Sequence, residues 1–395
     1  MEFGNWAPLL AIVAVGLLPL FFALGWTAAR IDLRALLKLA KSVPTGFYSS
    51  FNALLEGEKG EASRYLAEAA DTAGEHQNTY ELNMTLGRLY RENGESDKAI
   101  TLHQSLASWP DTVGERRTRA LYELGLDYQK AGLVDRAEQI FSDLADSGAA
   151  KDAGEVLLAI YEQDRDWEKA ILTADKLAND KQTRQFEIAQ FHCELAQAAL
   201  FRSDFAQARK HVDAALEANK KCARANIIAG DIEKQQKNYE QAIAAYSAVE
   251  QQNFNYLGMV GERIYECYEA LGRAEDGLNV LIGHSKTFPQ LDLVNLIYDK
   301  ALPLLGEDKA NQTALELVRG KPDLSGVYRL VGLQMSNLPP EWKADADMIR
   351  TVIGQQIQKS LMYRCHHCGF KSQVFFWHCP ACNKWETLSP NKVET

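Results

Sequence analysis

The sequence predicts an all-α superhelix of repeated helical hairpins, with one N-terminal transmembrane helix and a small C-terminal ribbon built on paired cysteines. Three observations predict it. Trp6 to Ala29 is an uncharged apolar run, a small residue recurs every 33 to 38 residues through the middle of the chain, and two Cys-x-x-Cys pairs stand near the end. Of 395 residues, 46% are hydrophobic and 24% charged, an ordinary balance that suits a few domains or one long repeat array. The net charge of −10 speaks against a general nucleic-acid binder, because neutralising phosphates drives that affinity.

The N-terminal run reads WAPLLAIVAVGLLPLFFALGWTAA. As a helix it measures about 36 Å, enough to span a bilayer core. Trp6 and Trp26 mark its ends, where indoles prefer the interface, and Pro19 is a kink of the kind membrane helices tolerate. A cleaved signal peptide would carry a basic leader, whereas Glu2 stands here. Residues 1–30 are therefore expected to form an anchor. Arg30, Arg34, Lys38 and Lys41 follow it, which places the N-terminus outside and the body in the cytoplasm. Residues 31–43 make a basic juxtamembrane segment, read either as a short amphipathic helix on anionic lipid or as plain continuation into a linker.

Residues 44–338 are read as the repeat array. The recurring small residues are Ala62, Ala99, Ala137, Ala170, Ala208, Ala242, Gly277 and Ala310, each expected early in the second helix of a hairpin. Leu86-Gly87 with Tyr90 and Leu124-Gly125 with Tyr128 stand before two of them. Apolar groups follow at plus four and plus seven, such as Phe141 and Leu144, on one helix face. Asn93-Gly94-Glu95 and Ala131-Gly132-Leu133 read as the turns between helices. One hairpin cannot bury such a face, so eight units are expected to stack into a continuous core, a pattern that resembles the tetratricopeptide repeat.

Residues 339–362 are predicted as a linking helix with Ile349, Val352, Ile353, Ile357 and Leu361 on one face. It runs without a flexible linker into a ribbon at 363–395, which is expected to dock rigidly against the last helices. The ribbon carries Cys365, Cys368, Cys379 and Cys382, with ten residues between the pairs. Two thiolate pairs at this spacing can close a tetrahedral sulfur cage around one structural metal ion. Gly369 suits positive φ after the first pair, and Pro380 fixes φ within the second. Val374-Phe375-Phe376-Trp377 is rich in strand formers, so a few small strands are expected. Four thiolates accept zinc or iron, and the pattern resembles rubredoxin; zinc is the preferred ion. A closed cage has no open position for metal catalysis, and His366, His367 and His378 read as surface or supporting groups. Cys193, Cys222 and Cys267 are left as scattered thiols, which fits a reducing compartment.

No phosphate loop, HExxH, GxSxG or dinucleotide fingerprint occurs. His103 and His284 fall at core positions. His192-Cys193-Glu194 lies on consecutive helical positions, about 100° apart, so it does not form a nucleophile and base. Residues and spacing thus give a tethered recognition arm and not an enzyme, with its partners unspecified.

The order of parts carries a resemblance. Gly25-Trp26-x-x-Ala29-Arg30, the array with Leu124-Gly125-x-Asp127-Tyr128, and Tyr363-Arg364-Cys365-x-x-Cys368-Gly369-Phe370 through Trp377-His378-Cys379-Pro380-x-Cys382-x-x-Trp385 together resemble the lipopolysaccharide assembly protein B family. The resemblance implies a non-enzymatic regulator of lipopolysaccharide biosynthesis at the bacterial inner membrane. Its family role would be an adaptor that promotes degradation of the lipid A deacetylase LpxC by the membrane protease FtsH, restrained by an inner-membrane regulator. The alternative is a scaffold for lipopolysaccharide synthesis and export proteins. Lipopolysaccharide itself and a second copy of the chain are candidate further partners that the sequence leaves open, and nucleic acid is not expected. The metal role carries over onto Cys365, Cys368, Cys379 and Cys382, and no other residue role does. The chain departs from the family at Ala29, where glycine is usual, and in the apolar, basic 31–44 segment.

Overall fold

Helices succeed one another in twos from Thr45 to Gly320, joined by tight turns. The computed structural model describes residues 17–27, 45–73, 77–147, 151–177, 181–320, 324–335, 338–390 and 393–394. Residues 17–27 are helical, α1, with exposed side chains. Then come α2 (Thr45–Leu55) and α3 (Lys59–Ala73), α4 (Gln77–Glu92) and α5 (Ser96–Ser108), α6 (Glu115–Lys130) and α7 (Val134–Asp146), and α8 (Lys151–Asp164) and α9 (Trp167–Lys176). They are followed by α10 (Lys181–Phe201) and α11 (Phe205–Ala218), α12 (Ala223–Gln235) and α13 (Tyr239–Asn253), α14 (Leu257–Ala270) and α15 (Ala274–Thr287), and α16 (Val294–Leu305) and α17 (Glu307–Gly320). A single 3₁₀ turn (Phe254–Tyr256) precedes α14. The chain divides inside α8 into two compact units, Met1–Ile160 and Tyr161–Thr395.

The recurring small residues all lie in the second helix of a pair and are buried. What they make room for is visible four residues on. The rings of His103, Phe141 and Tyr246 lie directly over Gly87, Gly125 and Gly230 of the preceding helix. A Cβ on Gly125 would stand 2.7 Å from Phe141 Cζ, and one on Gly230 would stand 2.3 Å from Tyr246 Cε1. Glycine there is a packing requirement, since no side chain fits under a ring at that distance.

Each turn between paired helices contains one residue in the left-handed region. It is glycine in five of the eight turns, Gly57, Gly94 (φ +83°), Gly132 (φ +76°), Gly272 and Gly306, but Arg165 (φ 57°), Ser203 (φ 61°) and Lys237 (φ 64°) in the other three. A side chain with a Cβ costs about 1 kcal/mol in that conformation. Lys237 is exposed. Lys237→Gly is therefore expected to stabilise the array by about 1 kcal/mol, read as a rise in the urea midpoint of the detergent-solubilised chain.

The first unit buries a charged network that its sequence does not announce. Arg91 Nη1 donates to Asp127 Oδ1 at 2.7 Å and Arg91 Nη2 to Glu123 Oε2 at 2.7 Å, while Arg88 also grips Glu123. Asp127 is fully buried and meets the equally buried His103 ring at Nδ1. Burial pushes the Glu123 carboxyl up, but its hydrogen bonds from Arg88 and Arg91 outweigh this and leave it below the usual range.

In the second unit, one continuous core runs through Tyr246, Leu257, Ile264, Leu281 and Ile297. After α17, α18 (Leu324–Gln334) packs on α19 (Pro340–Ser360), which leads directly into β1 (Leu361–Arg364). The apolar stripe on α19 is only partly covered, because Ile349 and Val352 are exposed. β1 is the centre of a three-stranded antiparallel sheet in the order β2 (Lys371–Ser372), β1, β3 (Val393–Glu394). Val374 to Trp377 do not join it. They run as irregular chain, because Phe375 and Trp377 bury their rings against the helices instead of pairing their backbone.

Among the described residues no helix is long and apolar enough to cross a membrane. The expected anchor from Trp6 to Ala29 and the basic segment 31–43 lie mostly or wholly outside the described residues.

Candidate metal centre and its docking surface

Two knuckles of the same construction face each other in the ribbon. In the first, Gly369 N–H donates to Cys365 O at 3.0 Å and Cys365 N–H to Phe370 O at 2.8 Å. In the second, Asn383 N–H donates to Cys379 O at 2.9 Å and Cys379 N–H to Lys384 O at 2.9 Å. Gly369 (φ +78°) and Asn383 (φ 51°) take the matching left-handed position that lets each chain double back. Asparagine tolerates that conformation better than most residues with a side chain, which is why the second knuckle manages without glycine.

The folding of the knuckles gathers all four cysteines, with every Sγ within 4.8 Å of the others. Between knuckles, Cys365 Sγ lies 3.8 Å from Cys382 Sγ, and Cys368 Sγ lies 3.8 Å from Cys379 Sγ. A metal held at 2.3 Å by four thiolates sets the sulfurs about 3.8 Å apart, so the donor set fits a tetrahedral ion in both chemistry and size. Backbone N–H groups of Phe370 and Lys384 face Cys368 and Cys382, and Thr387 Oγ1 stands 3.3 Å from Cys365 Sγ. These donors would support thiolate charge at a bound ion. The chain thus presents a four-cysteine metal-binding ribbon, with Cys365 and Cys379 buried and Cys368 exposed. His366 and His367 are exposed, and His378 stacks on Trp385 at 4.4 Å; all three are outside the cysteine cluster.

The ribbon's strands β1 and β3 contact α19, but its aromatic contacts lie further back than the last helices. They fall on the middle of the second unit, on α9, α10, α12 and the 3₁₀ turn. Trp385 meets Trp167 and Phe191 edge-on at 5.8 and 6.0 Å, while Trp377 packs on Tyr256 at 4.8 Å and Phe375 meets that ring at 6.3 Å. Arg224 lies between the two indoles, 5.4 Å from the Trp377 ring and 5.9 Å from the Trp385 ring. Its side chain is only 6% exposed, and it is held by Glu194 Oε1 at 2.8 Å. A buried cation in the first turn of α12 opposes the helix dipole, so the acidic groups beside it are needed. One is Glu194; the other is Glu386, to which Gln190 Nε2 donates at 2.6 Å. Burial pushes the Glu386 carboxyl up, against the pull of Gln190 and Arg224.

His192, Cys193 and Glu194 turn to three different neighbours. His192 Nδ1 is 3.3 Å from His211 Nδ1, Cys193 Sγ is 3.7 Å from Cys222 Sγ, and Glu194 holds Arg224. They form no nucleophile and base.

The carboxyl of Glu162, at the edge of this surface, is pushed up to about 7, first by burial and then by Glu187, against the pull of the Trp385 N–H and Arg184. That indole N–H is buried and closes no well-formed hydrogen bond, so Glu162 is the charge it faces. The folded value lies above the unfolded value of about 4.3. Stability is therefore full below about pH 4.3 and is lost as pH rises towards 7. Glu162→Gln is expected to remove this loss. It should stabilise the chain at pH 8 by on the order of 2 kcal/mol, with no gain at pH 4, as read from urea midpoints at the two pH values.

Trp167, Gln190, Phe191, Arg224 and Tyr256 form this surface, and the sequence did not single them out. The available signal was polarity at core positions: Gln190 and Arg224 are buried where the repeat otherwise places apolar groups.

Comparison with known proteins gives the same two parts. The model described as rubredoxin metal binding domain matches residues 363–390, and the one described as tetratricopeptide repeat matches residues 193–255. Lipopolysaccharide assembly protein B of Escherichia coli K12 is 29% identical over 95% of this chain and 96% of its own length. The protein of the same name from Haemophilus influenzae is 29% identical over 80% of each chain. Among solved structures, a tetratricopeptide repeat protein from Parabacteroides merdae is matched at 16% identity over 75% of this chain and 99% of that chain, with a TM-score of 0.24.

Proposed function

We propose, from a chain that belongs to the lipopolysaccharide assembly protein B family along nearly its whole length, that it is a non-enzymatic adaptor of the inner membrane. In this reading it promotes degradation of the deacetylase LpxC by the protease FtsH, under restraint by an inner-membrane regulator. Residues 1–30 hold it in the membrane as a single span, with the N-terminus periplasmic and residues 44–338 and 363–395 in the cytoplasm. Tethering raises the local concentration of the recognition surface beside a membrane protease without requiring tight contact. Cys365, Cys368, Cys379 and Cys382 hold one structural ion, zinc in preference to iron, which staples the ribbon and performs no chemistry.

The observation that carries the reading is the combination of a repeat array with a ribbon folded back onto it. The cysteines close around one point, and Trp377 and Trp385 occupy the array surface. Such an arrangement presents a fixed composite surface to a protein partner.

The test is the half-life of LpxC in the native host with the chain intact, depleted, or lacking residues 1–30. Depletion and loss of the anchor should both lengthen it. An unchanged half-life on depletion would remove proteolytic control and leave the scaffold of synthesis and export proteins as the role.

A further inference from the structure

The first helix of the array is built inside out. Along α2, the residues turned to the core are Gly46, Ser50 and Ala53, all small. A Cβ on Gly46 would stand 2.7 Å from Tyr65 O, and Ser50 and Ala53 are 2% and 5% exposed. The large apolar residues face outward: Phe47 42%, Tyr48 63%, Phe51 55%, Leu54 38% and Leu55 73% exposed. Their spacing of one, four, seven and eight residues makes a single stripe along the helix. Five large apolar side chains in one stripe on an outer helix form a contiguous patch, which marks an interaction surface.

The sequence around the stripe says what covers it. From Ser42 to Leu55 the chain has no charged residue, so a protein partner would find no ion pair to fix its register. Just before it stand Arg30, Arg34, Lys38 and Lys41 against the single acid Asp32, the balance that draws a chain to an anionic leaflet. Seventeen residues lie between Thr27, in the apolar run, and Thr45 at the start of α2. That length is a tether of at most about 60 Å. Tyr48 and the phenylalanines are residue types that sit at the boundary between headgroups and acyl chains.

We propose that α2 lies on the cytoplasmic face of the bilayer with Phe47, Tyr48, Phe51, Leu54 and Leu55 buried in an anionic lipid surface, so that the array is held to the membrane by its first helix as well as by its anchor. The inference rests on the anchored reading given above. It gives the array a fixed membrane-proximal end, where a tether alone would leave it free to rotate.

The test uses the full chain with Phe51 replaced by p-benzoylphenylalanine, reconstituted into vesicles of equal parts phosphatidylglycerol and phosphatidylcholine. The same replacement at Leu133, an exposed residue of the α6–α7 turn, is the control. Irradiation should give a lipid adduct from position 51 and at least tenfold less from position 133. The yield at position 51 should fall severalfold in vesicles of phosphatidylcholine alone. A chain that resists alkaline extraction but gives no lipid adduct at position 51, or one whose adduct is to a second copy of itself, overturns the proposal while the anchor stands. A chain released by alkaline extraction overturns the anchor, and the proposal with it.

Discussion

A chain carrying Cys379→Ser is expected to lose its metal and its folded ribbon together while keeping its helices. Cys379 is completely buried, and its sulfur lies 3.8 Å from that of Cys368 across the two knuckles. A hydroxyl in its place is a poor ligand and leaves three thiolates repelling one another. The small sheet has two-residue outer strands, too short to stand without the ion. Structural zinc in small domains contributes on the order of 10 kcal/mol of apparent folding free energy, so the folded ribbon should fall below detection. The array should survive, because each repeat is held by its neighbours. Metal analysis should fall from one ion per chain to none, tryptophan emission should shift red as Trp377 and Trp385 leave their contacts, and far-UV helicity should stay within a few per cent. A chelator acting on the unaltered chain should do the same reversibly. A collapse of helicity would mean that the ribbon holds the array together and not the reverse. Metal analysis of the unaltered chain also separates zinc from iron, and a red colour would identify iron.

The array was readable because its physics is periodic. A small residue that must sit under a neighbouring helix returns with every hairpin, and all eight of its positions from Ala62 to Ala310 are buried. The cysteine cluster was readable because a metal fixes ligand spacing. Three features were not readable, for definite reasons. The left-handed turn positions at Arg165, Ser203 and Lys237 carry no glycine, because the surrounding helices hold the turn against about 1 kcal/mol of strain. Val374 to Trp377 looked like a strand because strand propensity measures fit to a half-buried surface; here the surface is a helix layer. The docking site joins Trp167, Gln190, Arg224 and Tyr256 to residues more than a hundred positions away, and no local pattern records such pairing. Sequence continuity from α19 into β1 pointed to the last helices, while the buried aromatic contacts lie in the middle of the second unit.

Trp385→Ala separates the metal from the docking, and its expected effect on the interface is nearly as large. Trp385 is 6% exposed and touches Trp167, Phe191, His378 and the Arg224 guanidinium. Deleting a buried indole typically removes about 3–5 kcal/mol of packing, and here the loss falls on the contact between ribbon and array. It also leaves Arg224 and Glu386 beside a cavity that admits water, which weakens a contact built on excluding it. The cysteines are untouched, so the chain should still bind one metal ion. The ribbon should undock: limited proteolysis should now cut near Leu361, and hydrogen exchange should quicken in α10 and α12 but not in α4 to α7. If the composite surface is what a partner reads, LpxC half-life with this variant should match depletion although the metal is retained. If the half-life stays short with the ribbon undocked, recognition belongs to the array or to the ribbon alone. If the metal is lost together with docking, the array is part of what folds the ribbon, and the four sulfurs do not hold their ion without Trp167, Phe191 and Tyr256 behind them.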